Sequence, residues 1–194
     1  MSNSALIIGA GPAGLMAAER LLAQGAQVQI FDAKPSIGRK FLMAGKSGLN
    51  LTKNEPLAIF QNQYYDASAQ LAPMLNDFGP ADVMRWANAL GADVFSGSSG
   101  RVFPKAMKAS PLLRAWMLRL QNAGAELRVK SRWRTLSKDG CFGFETPSGP
   151  AQITPDVAVL ALGVGGAGLI VEVARTGDVG VLEGLGPRAD LAGA

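Results

Sequence analysis

The feature that most constrains this sequence is a set of three glycines, Gly9, Gly11 and Gly14, directly after a short apolar run. This G-x-G-x-x-G spacing between a predicted strand and a predicted helix is typical of dinucleotide-binding sites. The first glycine permits a tight turn, the second lets the backbone approach a pyrophosphate, and the third lets the helix pack closely on the strand. Pro12 suits the first helical turn, where its missing N–H has no helical partner. The stretch therefore predicts a phosphate site, because the free N–H groups and the dipole of a helix N-terminus attract negative charge.

The segments that flank these glycines support the same interpretation. Ala5–Ile8 is a continuous apolar run typical of a buried strand, and Gly25 ends the helical pattern that follows. A second apolar segment, Val28–Phe31, delivers Asp32 to the carboxyl end of a second predicted strand. A carboxylate there accepts hydrogen bonds from ribose hydroxyl groups and repels a 2′-phosphate. The alternative is a glycine-rich turn between strand and helix that binds no ligand. The predicted buried face of the helix consists of Leu15, Ala18, Leu21 and Leu22.

Composition excludes several other classes of function. The chain of 194 residues contains no histidine, which excludes histidine-based triads, general bases and metal sites, and we expect no bound metal. Cys141 is the single cysteine, so neither an internal disulfide nor a redox pair of cysteines can form. Its place in an apolar alternation predicts a core position rather than a nucleophile.

Charge and hydropathy give no sign of a nucleic-acid or membrane partner. The net charge of +4 is spread along the chain, and the alternating basic residues of Arg128–Arg134 predict the solvated face of a strand. The amino terminus lacks the basic region of a signal peptide. The longest uncharged apolar run, Val157–Val171, is shorter than the roughly 20 residues of a membrane-spanning helix. We expect a cytoplasmic protein that binds neither nucleic acid nor membranes.

The segment after Asp32 is predicted to be a long polar loop, Ala33–Asn54, beside the dinucleotide site. Such loops inside a compact domain are usually functional or mobile. Arg39 and Lys40 would neutralise phosphate charge there, and Asn50 and Thr52 offer hydrogen bonds to a sugar or a ring. The alternative is a solvated loop with scattered charges.

A helical insertion is predicted over about 55–123. Helical spacing over Tyr64–Leu90 is interrupted at Gly79-Pro80, and two short strands follow it. Ser110 is predicted to cap a further helix, and Leu127–Val129 is predicted to form a third parallel strand. We expect Met74, Met84 and Trp86 to be core residues rather than parts of a cofactor site.

A three-stranded antiparallel meander is predicted over about 131–154, because turn signals separate three short extended pieces. Val157–Gly163 is then a continuous apolar run typical of a buried parallel strand. The predicted fold class is therefore α/β, a Rossmann-like parallel sheet with helices plus an antiparallel meander. Residues 164–194 are glycine-rich, without strand alternation or clear helical signals, and no element is predicted there.

Three stretches resemble the aminoacetone oxidase/BaiN/YhiN-like family of FAD-binding flavoproteins. They are Gly9–Ala18, Gly38–Thr52, and Gly100–Pro104 with Lys108–Ser110. The first is shared by many flavoproteins, whereas the other two are much more specific. The resemblance runs from about Leu6 to Gly163. It implies an FAD-binding domain over residues 1–163, with FAD bound non-covalently and a redox reaction at the flavin.

The resemblance also implies roles for single residues. The glycine stretch Gly9–Gly14 would hold the pyrophosphate, Asp32 would hold the adenosine ribose, and Val129 would approach the adenine through its backbone. No catalytic acid or base is indicated, the small-molecule substrate is unknown, and NAD(P)H is a candidate electron donor. The implied cofactor-binding residues are Gly9, Gly11, Pro12, Ala13, Gly14, Asp32, Ala33, Arg39, Lys40, Asn50, Leu51, Thr52, Val129 and Gly163.

Two departures from this family stand out. Gly48-Leu49-Asn50 occupies the place where many members carry Arg-Cys-Asn. Members also continue into a substrate domain and a final FAD-binding segment, and neither is recognisable after Gly163. We therefore expect residues 164–194 to be an atypical tail, and our hypothesis is a frameshift or premature stop that truncates the protein.

Two other functions stay open on sequence alone. The chain could be an NAD-binding module, in which Asp32 disfavours NADP, or a catalytically inert remnant that serves as an interaction module. The segment Gly38–Thr52 and the predicted meander favour FAD over NAD.

Overall fold

A computed structural model describes residues 3–163 and the backbone of 169–175. The chain forms two compact units, which we call the sheet unit (Met1–Arg39 with Arg119–Ala194) and the inserted unit (Lys40–Leu118). The strands in chain order are β1 Ser4–Ile8, β2 Gln27–Phe31, β3 Thr52–Lys53, β4 Val94–Ser96, β5 Arg101–Pro104, β6 Glu126–Arg128, β7 Arg132–Leu136, β8 Phe142–Thr146, β9 Gly149–Ile153, β10 Val157–Gly163 and β11 Leu169–Arg175. The helices are α1 Pro12–Ala23, α2 Arg39–Ala44, α3 Leu57–Asn62, α4 Ser68–Asp77, α5 Pro80–Ala89 and α6 Ala109–Asn122, with a 3₁₀ turn at Tyr65–Ala67.

The sheet unit is built on a sheet with the strand order β11-β10-β1-β2-β6. Strands β10, β1, β2 and β6 run parallel, and β11 is antiparallel to β10. Helix α1 follows β1 and packs against the sheet through its buried residues Leu15 and Ala18. Because β1 and β2 are parallel neighbours, their carboxyl ends lie at the same edge of the sheet. The predicted Rossmann-like α/β fold is confirmed.

The antiparallel sheet β7-β8-β9 confirms the predicted meander. Its inner face packs on the main sheet, with the rings of Phe31 and Phe144 at a centroid distance of 4.2 Å. Arg132 and Arg134 of β7 face solvent while Trp133 between them is buried, as the alternation predicts. The buried cluster contains Leu6, Ile8, Phe31, Trp133, Phe142, Phe144, Ala158 and Leu160.

The inserted unit has its own small sheet, β3-β5-β4, and its own core. Leu49, Ala109 and Leu112 form the buried cluster. Trp86 packs edge-on against Trp116 at a centroid distance of 4.8 Å. The predicted break at Gly79-Pro80 is confirmed, since α5 begins at Pro80 with Gly79 as its N-cap.

Four predictions differ from the structure. The segment Ala33–Asn54 is not one loop, because α2 and β3 form within it. Helix α6 begins at Ala109, so Ser110 lies inside its first turn rather than at the cap. Met74 is 60% exposed, and it lies on α4, a helix in which no residue is buried. Cys141 is only half-buried, because it sits in the β7–β8 turn, where its backbone bonds the hydroxyl of Ser137.

The glycine-rich segment after Gly163 is only partly described. Strand β11 forms there and pairs along the whole of β10, although no strand was predicted. Residues 164–168 and 176–194 lie outside the described residues, so our expectations for that part of the tail stay predictions.

Candidate functional site

The turn between β1 and α1, which we call the cradle (Gly9–Gly14), needs glycine for two different steric reasons. Gly9 has a φ of +112°, a conformation that side chains rarely adopt, and a Cβ there would overlap the carbonyl oxygen of Ala161 in β10. A Cβ at Gly14 would overlap the carbonyl oxygen of Gly9. These two glycines therefore permit close packing of β1, α1 and β10.

Gly11 differs from its two neighbouring glycines, because its surroundings are open. Beyond its chain neighbours, no described atom lies within 4 Å of a Cβ placed on Gly11. Its backbone is extended, with a φ of −81° and a ψ of 179°, so other residues could adopt it. The protein itself thus does not require glycine at position 11, and open space remains beside the backbone there.

This open space lies at the start of α1. Gly11 is the N-cap and has no side chain with which to cap the helix, and Pro12 occupies the first helical turn. The first-turn amide groups of a helix have no intrahelical acceptor, and they carry a partial positive charge. Gly38 donates its N–H to the carbonyl of Ala10 at 2.9 Å, which ties the loop after β2 to the cradle. The arrangement fits an anionic group such as a diphosphate.

Asp32 lies beside the cradle and is held in one orientation. Its Oδ2 accepts a hydrogen bond from the N–H of Ala10 at 2.8 Å. Its Oδ1 accepts one from the N–H of Lys34 at 2.7 Å. A carboxylate oxygen has two lone pairs, so each oxygen can accept a second hydrogen bond. The half-buried carboxylate therefore offers fixed acceptors to hydroxyl groups next to an anion site.

The backbone of Asp32 pairs with the last residue of β6 and with the segment that follows it. The N–H of Asp32 donates to the carbonyl of Arg128 at 3.0 Å, and its carbonyl accepts from the N–H of Ser131 at 2.9 Å. Val129 is half-buried, and its carbonyl accepts a hydrogen bond from the hydroxyl of Ser131 at 3.1 Å. Ser131 is 3% exposed, and it is not among the site residues that the sequence predicts. The available signal was a small hydroxyl residue in the middle of the alternating basic segment Arg128–Arg134.

The structure brings several predicted site residues together at one edge of the sheet. The cradle, Asp32 and Val129 are joined there by the hydrogen bonds described above. Ala33 follows Asp32 and is exposed, and Gly163 is exposed at the carboxyl end of β10. Arg39 is exposed at the start of α2.

The other predicted site residues belong to the inserted unit. Lys40 and Asn50 are exposed. Leu51 donates its N–H to the carbonyl of Val102 at 2.9 Å and packs against the core of that unit. Thr52 lies in β3 and is only 8% exposed. A hydrogen bond from Thr52 to a sugar or ring stays a prediction.

Two of the family-like stretches contact each other within the inserted unit. A Cβ at Gly45 would lie 2.6 Å from the Cβ of Ala109, and a Cβ at Gly48 would lie 2.9 Å from Cε of Met107. Leu49 donates its N–H to the carbonyl of Met107 at 3.3 Å. The close approach of Ala109 thus explains glycine at position 45, and that of Met107, which adjoins the Lys108–Ser110 stretch, explains it at position 48.

Within the described part of the chain, no helix is long and apolar enough to cross a bilayer. The same residues contain no group of three or more Cys, Asp and Glu side chains that could hold a metal ion.

Among family models, the HI0933-like protein Rossmann domain matches residues 3–182. This range extends past Gly163, where we expected the family resemblance to end. The proposed frameshift or premature stop stays a prediction. No curated protein sequence matches the chain.

Solved structures show the same fold at low sequence identity. A flavocytochrome c3 fumarate reductase in its open conformation has a TM-score of 0.62 at 19% identity, over 82% of this chain and 33% of its own. Rhodococcus jostii RHA1 3-ketosteroid-delta4-(5alpha)-dehydrogenase has a TM-score of 0.56 at 12% identity, over 84% and 46%. Thermovibrio ammonificans THI4 has a TM-score of 0.54 at 18% identity, over 84% and 58%. The chain thus spans less than two thirds of each of these proteins.

Proposed function

Because the chain belongs to the HI0933-like family, whose members are FAD-binding flavoproteins, we propose that it binds FAD as part of an oxidoreductase. Within that family we propose the aminoacetone oxidase/BaiN/YhiN-like branch, on the strength of Gly38–Thr52 and Gly100–Pro104. These two stretches carry the specific resemblance, and each contributes a strand to the inserted unit, where β3 pairs with β5.

One observation carries the proposal: the open space at Gly11 lies beside the fixed carboxylate of Asp32. The amide of Ala10, between two cradle glycines, donates to that carboxylate at 2.8 Å. An adenosine diphosphate group has its ribose next to its phosphates, so it matches an acceptor adjacent to an anion site. The residues present therefore fit the adenosine diphosphate half of FAD.

Each element of this site has a separate task in the proposal. The first-turn amides of α1 hold the diphosphate, and the dipole of the helix offsets part of its charge. Asp32 accepts hydrogen bonds from the ribose hydroxyl groups and repels a 2′-phosphate. Arg39 is an exposed cation of the sheet unit at the start of α2, and it neutralises phosphate charge in this proposal, whereas a role of Lys40 in the inserted unit stays a prediction. When bound, the flavin supplies the redox chemistry.

The substrate and the electron donor are proposed by chemical class. We propose a small-molecule substrate and NAD(P)H as the electron donor. The chain spans 58% or less of the three solved structures described above, and the substrate class and the electron donor are proposals. No acid or base among the described residues is assigned a catalytic role.

An NAD-binding module is the second candidate, because Asp32 and the cradle would suit the adenosine half of NAD equally well. The meander β7–β9 and the family favour FAD. A catalytically inert remnant or interaction module is the third.

The visible absorption spectrum of the purified full chain distinguishes these candidates. Flavin absorbance that persists through gel filtration supports the proposal, and the apoprotein should regain it when FAD is added. A colourless protein that binds NAD but not FAD would support the second candidate. A folded protein that binds neither would contradict both and leave the third.

A further inference from the structure

Asp32 is bound at four points, and two of them come from the backbone of Arg128, the last residue of β6, and of Ser131 beyond it. The carboxylate oxygens accept from Ala10 and Lys34 at 2.8 and 2.7 Å. The backbone N–H and C=O of Asp32 pair with Arg128 and Ser131 at 3.0 and 2.9 Å. The position of the carboxylate thus depends on residues far away in sequence.

The segment Val129–Ser131, which we call the arch, has an unusual backbone. Lys130 has a φ of +54°, which is uncommon for a residue with a side chain. Its N–H donates to the carbonyl of Lys34 at 3.1 Å, so the arch reaches the residue whose amide binds Oδ1 of Asp32. Backbone in this region persists when the surrounding contacts determine it.

The hydroxyl of Ser131 closes the arch. It donates to the carbonyl of Val129 at 3.1 Å, across the strained Lys130, and Ser131 is 3% exposed. The N–H of the same residue holds the carbonyl of Asp32. One buried residue therefore bonds both the arch and the end of β2.

We propose that Ser131 is a positioning residue that sets the orientation of Asp32 toward the ribose of an adenine nucleotide. This inference rests on the proposed function. The hydroxyl keeps the arch in the conformation in which the amides of Lys130 and Ser131 reach Lys34 and Asp32. Without the hydroxyl, the backbone of Asp32 gains conformational freedom. Nucleotide binding must then order this backbone, which lowers the affinity.

The test measures the affinities of the full-length apoprotein for FAD and for ADP, which carries only the adenosine half. Ser131→Ala should weaken both by the same factor, about threefold to tenfold, because one hydrogen bond contributes about 0.5–1.5 kcal/mol. Ser137→Ala is the matched control, since the Ser137 hydroxyl also donates to a backbone carbonyl, that of Cys141 at 3.2 Å. It should leave both affinities unchanged.

A double-mutant cycle with Asp32→Ala separates positioning from a general structural role. If Ser131 acts through Asp32, Ser131→Ala should cost little further ADP affinity once the carboxylate is absent. Amide hydrogen exchange of the unliganded protein gives an independent readout. The amides of Lys34 and Lys130 should exchange faster in Ser131→Ala than in the wild type.

Two results would overturn the inference while leaving the proposed function intact. One is a Ser131→Ala variant that binds ADP as tightly as Ser137→Ala does. The other is a Ser131→Ala loss that is equally large in the Asp32→Ala background. If Ser131→Ala does not fold, Ser131→Cys replaces it under the same criteria, because a thiol is a weaker donor. A wild-type chain that binds neither FAD nor ADP would instead refute the proposed function.

Discussion

The amide of Ala10 donates a hydrogen bond to Oδ2 of Asp32 at 2.8 Å, so the glycine turn after β1 is bonded directly to the end of β2. This bond sets a carboxylate next to the start of α1, where backbone amides lack helical partners. An acceptor for hydroxyl groups and a site for anions are thereby fixed side by side. The proposed binding of an adenine nucleotide follows from that adjacency.

Removal of the Asp32 carboxylate should weaken FAD binding. Asp32→Ala deletes the acceptors for the ribose, and hydrogen bonds to a charged group contribute about 1.5–3 kcal/mol, so we expect an affinity loss of about tenfold or more. Asp139→Ala, in the β7–β8 turn, is the control. Fluorescence titration with FAD measures both variants, and equal affinities would refute the role of Asp32.

Gly14 should be essential for stability rather than only for ligand binding. Gly14→Ala places a Cβ against the carbonyl oxygen of Gly9, which backbone atoms cannot easily relieve. Overpacking of this kind costs about 1–3 kcal/mol. Urea unfolding of the apoprotein should show the loss, with Gly97→Ala as control, because a Cβ at Gly97 meets nothing described closer than 3.7 Å. A Gly14→Ala midpoint equal to that of the control would contradict the close packing of α1 on β1.

The packing of the meander on the main sheet should contribute strongly to stability. Phe144 is buried and lies 4.2 Å from the ring of Phe31, so Phe144→Ala should cost about 3–5 kcal/mol. Phe95 is 42% exposed, and Phe95→Ala should cost far less. Unfolding free energies from denaturant titration compare the two variants. Similar losses would mean that the meander is not part of the core of the sheet unit.

The free energy of unfolding should fall in acid partly through Asp156, which bonds to Ser4 at the start of β1. The backbone N–H and the hydroxyl of Ser4 both donate to this carboxylate, at 2.7 and 2.8 Å, and these bonds lower the pKa of Asp156. A lowered folded-state pKa gives stability that is present above the unfolded-state pKa and lost as the pH falls through the folded-state pKa. Asp156→Asn should therefore reduce the acid dependence of the unfolding free energy below about pH 4. The same pH profile in the variant and the wild type would exclude this contribution.

The parts of the fold that sequence predicted well are those with strong local patterns. Ala5–Ile8 and Val157–Gly163 are short apolar runs typical of buried strands, and both lie in the central parallel sheet. The meander followed from turn residues between short alternating segments. The cradle followed from three glycines, two of which have a steric reason in the structure.

The parts that sequence missed depend on tertiary contacts. Helix α2 is only six residues long, and its residues Phe41 and Leu42 pack on the core of the inserted unit, a partner that local pattern does not reveal. Met74 has helical spacing but lies on a helix that buries none of its residues. Ser131 belongs to no recognised sequence motif. Its importance comes from the hydrogen bond between its N–H and the carbonyl of Asp32, a contact between segments far apart in sequence. Strand β11 pairs with β10, and its β-branched residues Ile170, Val171 and Val173 were a strand signal that the prediction for the tail did not use.

The most direct test of the account is FAD titration of Gly11→Ala beside the wild type and Gly97→Ala. A Cβ at Gly11 meets no described atom within 4 Å beyond its chain neighbours, so the variant should fold, with a loss of about 0.5–1 kcal/mol because alanine is a poorer N-cap than glycine. If that space holds the diphosphate, the added methyl group should weaken FAD binding by about tenfold or more, since overpacking costs about 1–3 kcal/mol. A stable Gly11→Ala protein that binds FAD as tightly as the wild type and Gly97→Ala would contradict the claim that the diphosphate lies against the cradle.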